Sequence, residues 1–99
     1  MTRTVVRYTT RPERTEENQR LIEAVFQELA AKTPDGVRYL VLKVGDGSFV
    51  HFVETSEGAS PLPGLPAFRS FQSGIKDRCL EPPQAGEATI VGNYRMLAE

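Results

Sequence analysis

The chain has 99 residues, which is the size of one small domain with one hydrophobic core. Apolar residues make up 39% of it, charged residues 25%, and the formal net charge is −1. This balance argues against nucleic-acid binding, which needs a basic surface to neutralise phosphates, and it gives no support to attachment to an anionic membrane.

Targeting and disulfide signals are missing from the sequence. The single cysteine, Cys79, cannot form an intrachain disulfide and is expected to be a small buried apolar residue. Residues 1–11 contain no apolar run of signal-peptide length, and no segment approaches the roughly 20 apolar residues that span a bilayer. We therefore expect a cytoplasmic protein that contacts neither membrane nor nucleic acid.

The first two predicted elements are a strand and a helix. Residues 4–10 are mostly β-branched or aromatic, which predicts a strand that ends at Pro12. Residues 14–32 predict a helix, with Thr15 as its N-terminal cap and Gly36 in the turn that follows. The apolar stripe of this helix consists of Leu21, Ile22, Val25, Phe26, Leu29 and Ala30.

A hairpin is predicted next, with strands over residues 37–44 and 48–55. Asp46-Gly47 is a strong signal for a two-residue turn, and such a turn would pair Val44 with Phe49 and Leu42 with His51. Both faces of the hairpin would then be apolar. One face would carry Leu40, Leu42, Val44, Phe49 and Val53, and the other would carry Val37, Tyr39, Val41, Val50 and Phe52.

After a polar loop over residues 56–64, a second helix is predicted over residues 65–80, with Pro66 in its first turn. Gly74 lies inside this helix and weakens it by about 1 kcal/mol relative to alanine. The last strand is predicted over residues 88–97.

The order strand, helix, strand, strand, helix, strand predicts an α+β, ferredoxin-like βαββαβ fold with a four-stranded antiparallel sheet, formed by residues 1–99 as one domain. Two helices cover one face of such a sheet, and a bare apolar face usually marks an interaction surface. We therefore expect a homodimer formed through the sheet face. The alternative is a monomer in which residues 56–64 cover that face.

Four segments of the chain resemble a known family. They are TVVRYTTRPE at residues 4–13, LIEAVFQELA, PDGVRYLVLKV, and SFVHFVET followed by LPAFRSFQSGI. In pattern and order they are similar to the antibiotic biosynthesis monooxygenase (ABM)-like domains of the dimeric α/β-barrel superfamily. The resemblance implies a dimer whose two sheets face each other, with a small organic ligand held between sheet and helices.

Activities in that superfamily include cofactor-independent oxidation of polycyclic phenols, haem degradation and small-molecule isomerisation. The better-characterised oxygenases use an asparagine on the first strand together with tryptophans, and the haem degraders add a histidine on the second helix. This chain has no tryptophan, carries Val6, Arg7 and Tyr8 on its first strand, and has no histidine in residues 65–80. The resemblance therefore implies a fold and a ligand site, but no particular reaction.

His51 is the candidate catalytic residue, because histidine is the usual general acid or base near neutral pH. The alternative is a strand histidine that faces solvent or the dimer interface. Substrate-binding candidates are the tyrosines of three predicted strands and two phenylalanines of the second helix. Each could instead be ordinary packing. They are Tyr8, Tyr39, Tyr94, Phe68 and Phe71.

Two functional hypotheses follow. The first is a cofactor-independent, monooxygenase-like enzyme that acts on a small aromatic or hydrophobic metabolite. The second is a non-catalytic module that binds a small molecule or another protein. No Cys/His cluster predicts a metal site, and we expect no cofactor.

Overall fold

The computed structural model describes residues 1–56 and 60–97, and its strands form one four-stranded antiparallel sheet in the order β2-β3-β1-β4. Short 3-10 turns at Pro12–Arg14 and Leu62–Gly64 precede the first and second helices. The predicted α+β, ferredoxin-like fold is confirmed, and the sheet is open rather than closed into a barrel. The elements are β1 (Thr2–Thr9), α1 (Thr15–Lys32), β2 (Val37–Val44), β3 (Ser48–Thr55), α2 (Pro66–Gln72), α3 (Ile75–Arg78) and β4 (Gln84–Glu87).

Thr15 is the first residue of α1 and not its cap. The 3-10 turn Pro12–Arg14 runs directly into the helix, so Thr15 already has helical backbone angles and Arg14 occupies the cap position without a side-chain capping bond. The Thr15 hydroxyl instead donates to the backbone oxygen of Arg11 and lies 2.7 Å from the hydroxyl of Thr10. The predicted cap was wrong because the preceding turn was not anticipated.

The hairpin has a three-residue turn, so its predicted register was wrong by one residue. Val44 pairs with Ser48, and Gly45, the first residue of the turn, adopts a φ of 64°, in the left-handed region that glycine reaches without steric cost. A shift of one residue exchanges the two faces of β3. Phe49 and His51 therefore face the helices, whereas Val50 lies on the opposite face.

The predicted helix over residues 65–80 is two helices. α2 ends at Gln72, and α3 begins after Gly74, whose φ of 81° lies in the left-handed region that favours glycine. The break lets the chain change direction between the two helices. The prediction of one continuous helix treated Gly74 as only a weak point.

The last strand is β4, and the predicted strand over residues 88–97 was wrong: in the described part of the chain, residues after Glu87 belong to no strand. The backbone N–H of Leu80 donates to the backbone oxygen of Thr9 at the end of β1. This bond places the residues that follow Leu80 beside β1. β4 runs antiparallel towards the start of β1, and its last backbone bond joins Ala88 to Arg3. β1 begins at Thr2, one residue before Arg3, so little of this strand is left for pairing beyond Ala88.

The core lies between the helices and one face of the sheet. Its buried residues are Tyr8, Ile22, Val25, Phe49, Phe71 and Cys79, so the expected burial of the cysteine is confirmed. On the other face, Leu40, Leu42 and Val44 are 46%, 51% and 55% exposed. No helix among the described residues is long and apolar enough to cross a membrane.

Candidate functional site

Three of the four polar aromatic residues predicted for the site lie together on the helix side of the sheet. His51 lies in the middle of β3 and is 4% exposed. Its Nε2 is 2.7 Å from the hydroxyl oxygen of Tyr8 on β1, and its Nδ1 is 2.7 Å from that of Tyr39 on β2. The alternating direction of side chains along neighbouring strands places all three on one face. His51 thus faces the core, and neither solvent nor the open sheet face.

Aromatic rings enclose this cluster. Phe71 of α2 stacks on the His51 ring at a centroid distance of 5.2 Å. Phe68 lies one helical turn earlier, 6.4 Å from the Tyr39 ring, and Phe26 of α1 lies 5.0 Å from the same ring. The spacing of three residues in α2 places Phe68 and Phe71 on one helix face. The hydrogen-bonding groups therefore sit in apolar surroundings.

These surroundings keep the cluster uncharged. Burial lowers the pKa of His51 from 6.5 to about 4, because the imidazolium would lose its hydration in the core. Burial likewise raises the pKa of Tyr8 and of Tyr39 well above its ordinary value. At neutral pH the cluster therefore consists of one neutral imidazole and two neutral phenols, which can give and accept hydrogen bonds.

Two residues that sequence reasoning missed extend the cluster. The Asn18 side-chain amide donates to the Tyr8 hydroxyl oxygen at 2.9 Å, and the Arg78 Nε donates to Asn18 Oδ1 at 3.0 Å. Asn18 and Arg78 are 0% and 2% exposed. The sequence did indicate that Asn18 is buried, because it lies four residues before Ile22 and therefore on the same face of α1 as the apolar stripe.

Arg78 also ties the cluster to the end of α2. Its Nη1 and Nη2 donate to the backbone oxygens of Ser73 and Phe71, and its guanidinium lies 5.4 Å from the Phe71 ring centroid. Burial lowers the pKa of Arg78, yet the guanidinium stays protonated because arginine does not lose its charge in proteins. Carbonyl and amide oxygens take the place of a carboxylate as its partners.

Tyr94 lies apart from the other predicted site residues. It follows β4, is 78% exposed, and packs against the guanidinium of Arg95 at 5.1 Å. The described contacts do not bring it to His51, and its assignment to substrate binding stays a prediction.

A groove of about 360 Å³ adjoins the cluster on the helix side, between α1 and β2. Two of its lining residues also touch the cluster: Phe26 packs on Tyr39, and Phe49 stacks on Tyr8 at 5.5 Å. The remaining walls are mainly apolar, formed by Ile22 and Val41, with Leu40 of the edge strand β2 and polar residues at the rim. No group of His, Cys, Asp or Glu within residues 1–56 and 60–97 could hold a metal ion.

Solved structures with the same fold cover nearly the whole chain. A protein from Bacteroides thetaiotaomicron, provisionally assigned as an antibiotic biosynthesis monooxygenase, superposes with a TM-score of 0.74 at 15% identity, covering 98% of this chain and 95% of its own. A protein from Nitrosomonas europaea with the same provisional assignment gives 0.72 at 14% identity, covering 91% and 89%.

Another similar structure is that of a mutant of SnoaB from Streptomyces nogalater, a cofactor-independent oxygenase. It superposes with a TM-score of 0.61 at 22% identity, covering 95% of this chain and 96% of its own. No family model and no curated protein matches the sequence. At these identities the comparisons establish the fold.

Proposed function

We propose that this chain, which has the fold of the antibiotic biosynthesis monooxygenases, is a small cofactor-independent, monooxygenase-like enzyme that acts on an aromatic or hydrophobic metabolite. The observation that carries the proposal is the buried Tyr8–His51–Tyr39 cluster beside an apolar groove. Apolar pockets with a few convergent polar groups are typical binding sites for small molecules. The cofactor-independent oxygenase among the structures of the same fold supports the choice of reaction.

In such a reaction the substrate supplies the electrons. A methylene carbon of an electron-rich phenol gives four electrons to O₂, gains one oxygen atom as a carbonyl, and releases the other oxygen with its two hydrogens as water. Phe26 in the groove wall would bind the face of the aromatic substrate, and Phe68 and Phe71 would support the site by packing on the rings of Tyr39 and His51. Tyr39 would bind its oxygen, and His51 would pass protons between the hydroxyls of Tyr8 and Tyr39 rather than hold one, since burial disfavours its charged form.

The test is oxygen uptake with a panel of polycyclic phenols, combined with ¹⁸O₂ labelling of the product. His51→Ala is expected to reduce turnover by about 100-fold or more, the typical contribution of a positioned proton-transfer group. Asn93→Ala, which changes an exposed residue whose hydrogen bonds within the described residues go only to Met96 and Leu97, serves as the control and is expected to retain full turnover.

His51→Ala must keep the circular-dichroism spectrum and native mass of the wild type for its turnover to be interpreted. Turnover that survives in a folded His51→Ala protein would show that the role given to this residue is wrong. Phenols that bind and are recovered chemically unchanged after long incubation in air would instead identify a non-catalytic binding module.

We further propose that two copies pair through the open face of the sheet in the cytoplasm. Leu40, Leu42 and Val44 form an apolar strip along the edge strand β2 on that face. Glu54 lies at the end of the strip and is 2% exposed, with Arg3 at 2.6 Å and Arg38 at 4.0 Å. Because arginines balance the charge of the carboxylate at its end, this apolar strip is suited to pack against the same strip of a second copy.

A further inference from the structure

A continuous chain of hydrogen bonds crosses the core, from Arg78 through Asn18, Tyr8 and His51 to Tyr39. Its direction follows from donor chemistry. A guanidinium only donates, so Asn18 must turn Oδ1 towards Arg78 and its NH₂ group towards Tyr8. The orientation of the Asn18 amide is thus fixed by Arg78.

The same reasoning fixes the histidine tautomer. The Tyr8 oxygen accepts from Asn18, and the hydroxyl hydrogen of Tyr8 then needs an acceptor, which His51 Nε2 supplies at 2.7 Å. Nε2 is therefore unprotonated, and Nδ1 carries the hydrogen and donates to the Tyr39 oxygen. The opposite direction would direct two donors at Tyr8 and bury its own hydrogen without a partner.

In this direction Asn18, Tyr8 and His51 each donate a hydrogen to the next group of the chain. The Tyr39 oxygen accepts from His51, and no acceptor within the described ranges takes the Tyr39 hydroxyl hydrogen. This hydroxyl lies at the end of the chain, on a ring that packs against Phe26 in the groove wall. Burial keeps the phenol protonated, so its unused hydroxyl hydrogen is available to donate to an acceptor oxygen of a bound ligand.

We propose that Asn18 and Arg78 are positioning residues that fix this direction, so that His51 carries its hydrogen on Nδ1 and Tyr39 donates its hydroxyl hydrogen to an anionic oxygen of the ligand. The ligand class is a deprotonated phenol or enol with an apolar body. The ligand part rests on the proposed function, whereas the direction of the chain stands independently of it.

The direction is measured by ¹⁵N NMR of the imidazole. His51 is the only histidine in the chain, so its two ring-nitrogen signals need no further assignment. The wild type is expected to show a protonated Nδ1 and an unprotonated Nε2. An Nε2–H tautomer in the wild type would overturn the proposal without any variant being needed.

Asn18→Asp is the decisive variant. The new carboxylate still pairs with Arg78, but it can only accept, so Tyr8 donates to it, His51 Nε2–H donates to Tyr8, and Tyr39 donates to Nδ1. The tautomer is expected to switch to Nε2–H. Asn93→Asp makes the same chemical change on the exposed C-terminal segment and is expected to leave the wild-type tautomer. A folded Asn18→Asp protein that keeps Nδ1–H would refute the role of Asn18.

The ligand class is tested with 4-nitrophenolate and its neutral ether 4-nitroanisole. Tyr39→Phe and Asn18→Asp are expected to weaken 4-nitrophenolate binding by about 10-fold or more, as for the loss of a hydrogen bond to a charged group, and to leave 4-nitroanisole binding unchanged. Wild-type affinity in Tyr39→Phe, or failure of the wild type to bind the phenolate, would overturn the role of Tyr39. Absence of oxygen uptake with these results intact would refute only the proposed reaction.

Discussion

At the scale of single residues, burial of His51 makes stability depend on pH. Its pKa is about 4 in the folded protein, against 6.5 for the ordinary residue, because the ring is desolvated. Between pH 6.5 and 4 the unfolded chain binds a proton that the folded protein does not. The free energy of unfolding therefore falls as the pH is lowered through this window, and the His51 contribution is fully present above pH 6.5.

Because each pKa unit corresponds to 1.36 kcal/mol, we expect His51 to lower the free energy of unfolding by about 3 kcal/mol when the pH falls from 7 to 4. Urea unfolding of the wild type and of His51→Gln across this range measures the difference. Glutamine can still accept from Tyr8 and donate to Tyr39 but does not titrate, and the carboxylates titrate in both proteins. Parallel stability curves for the two proteins would contradict a desolvated histidine.

At the scale of elements, the break between α2 and α3 positions Arg78. Gly74 turns the chain with a left-handed φ of 81°, and Arg78 then reaches back to the carbonyl oxygens at the end of α2. Gly74→Ala is expected to lower the free energy of unfolding by about 1 kcal/mol, because side chains disfavour this backbone conformation. Gly64→Ala is the control, since Gly64 has no positive φ and open space beside it. Equal stability of both variants in urea would show that Gly74 bears no such strain.

The sequence predicted the elements where local pattern decides the structure. α1 lies within one residue of its predicted start because its apolar stripe is long, and the strands of the hairpin have their predicted bounds. β4 was misplaced because its position depends on a distant partner: the sequence QAGE has no strand pattern, and pairing with β1 alone makes it a strand. Pairing between distant segments leaves no local signal.

The residues of the candidate site likewise include some that the sequence predicted and some that only the fold reveals. His51, Tyr8 and Tyr39 could be singled out by residue type, and they meet because they share one face of neighbouring strands. Asn18 was overlooked although it lies in line with the apolar stripe of α1, and Arg78 had no such indication, because a polar residue on a helix normally faces solvent. Their contact joins α1 to α3 across 60 residues of sequence, and only the fold brings them together.

At the scale of the whole molecule, the two faces of the sheet differ in what covers them. The helices bury the face that carries His51, while the strip of Leu40, Leu42 and Val44 on the other face stays half exposed. Fully burying one leucine side chain contributes about 1.5–3 kcal/mol. Pairing of two such strips would therefore stabilise a small protein whose own core is limited in size.

Leu42→Lys is expected to separate the two copies, because a buried, unpaired ammonium in each strip would weaken association by about 100-fold or more. Native mass spectrometry should find the wild type at twice the protomer mass of 11.0 kDa and the variant at the single mass. Gln27→Lys adds the same charge to the exposed face of α1 and should leave the dimer intact. A wild type at 11.0 kDa, or a dimeric Leu42→Lys protein, would exclude pairing through this face. The same spectra report any small molecule retained by the protein, which would supply a ligand for the oxygen-uptake experiment.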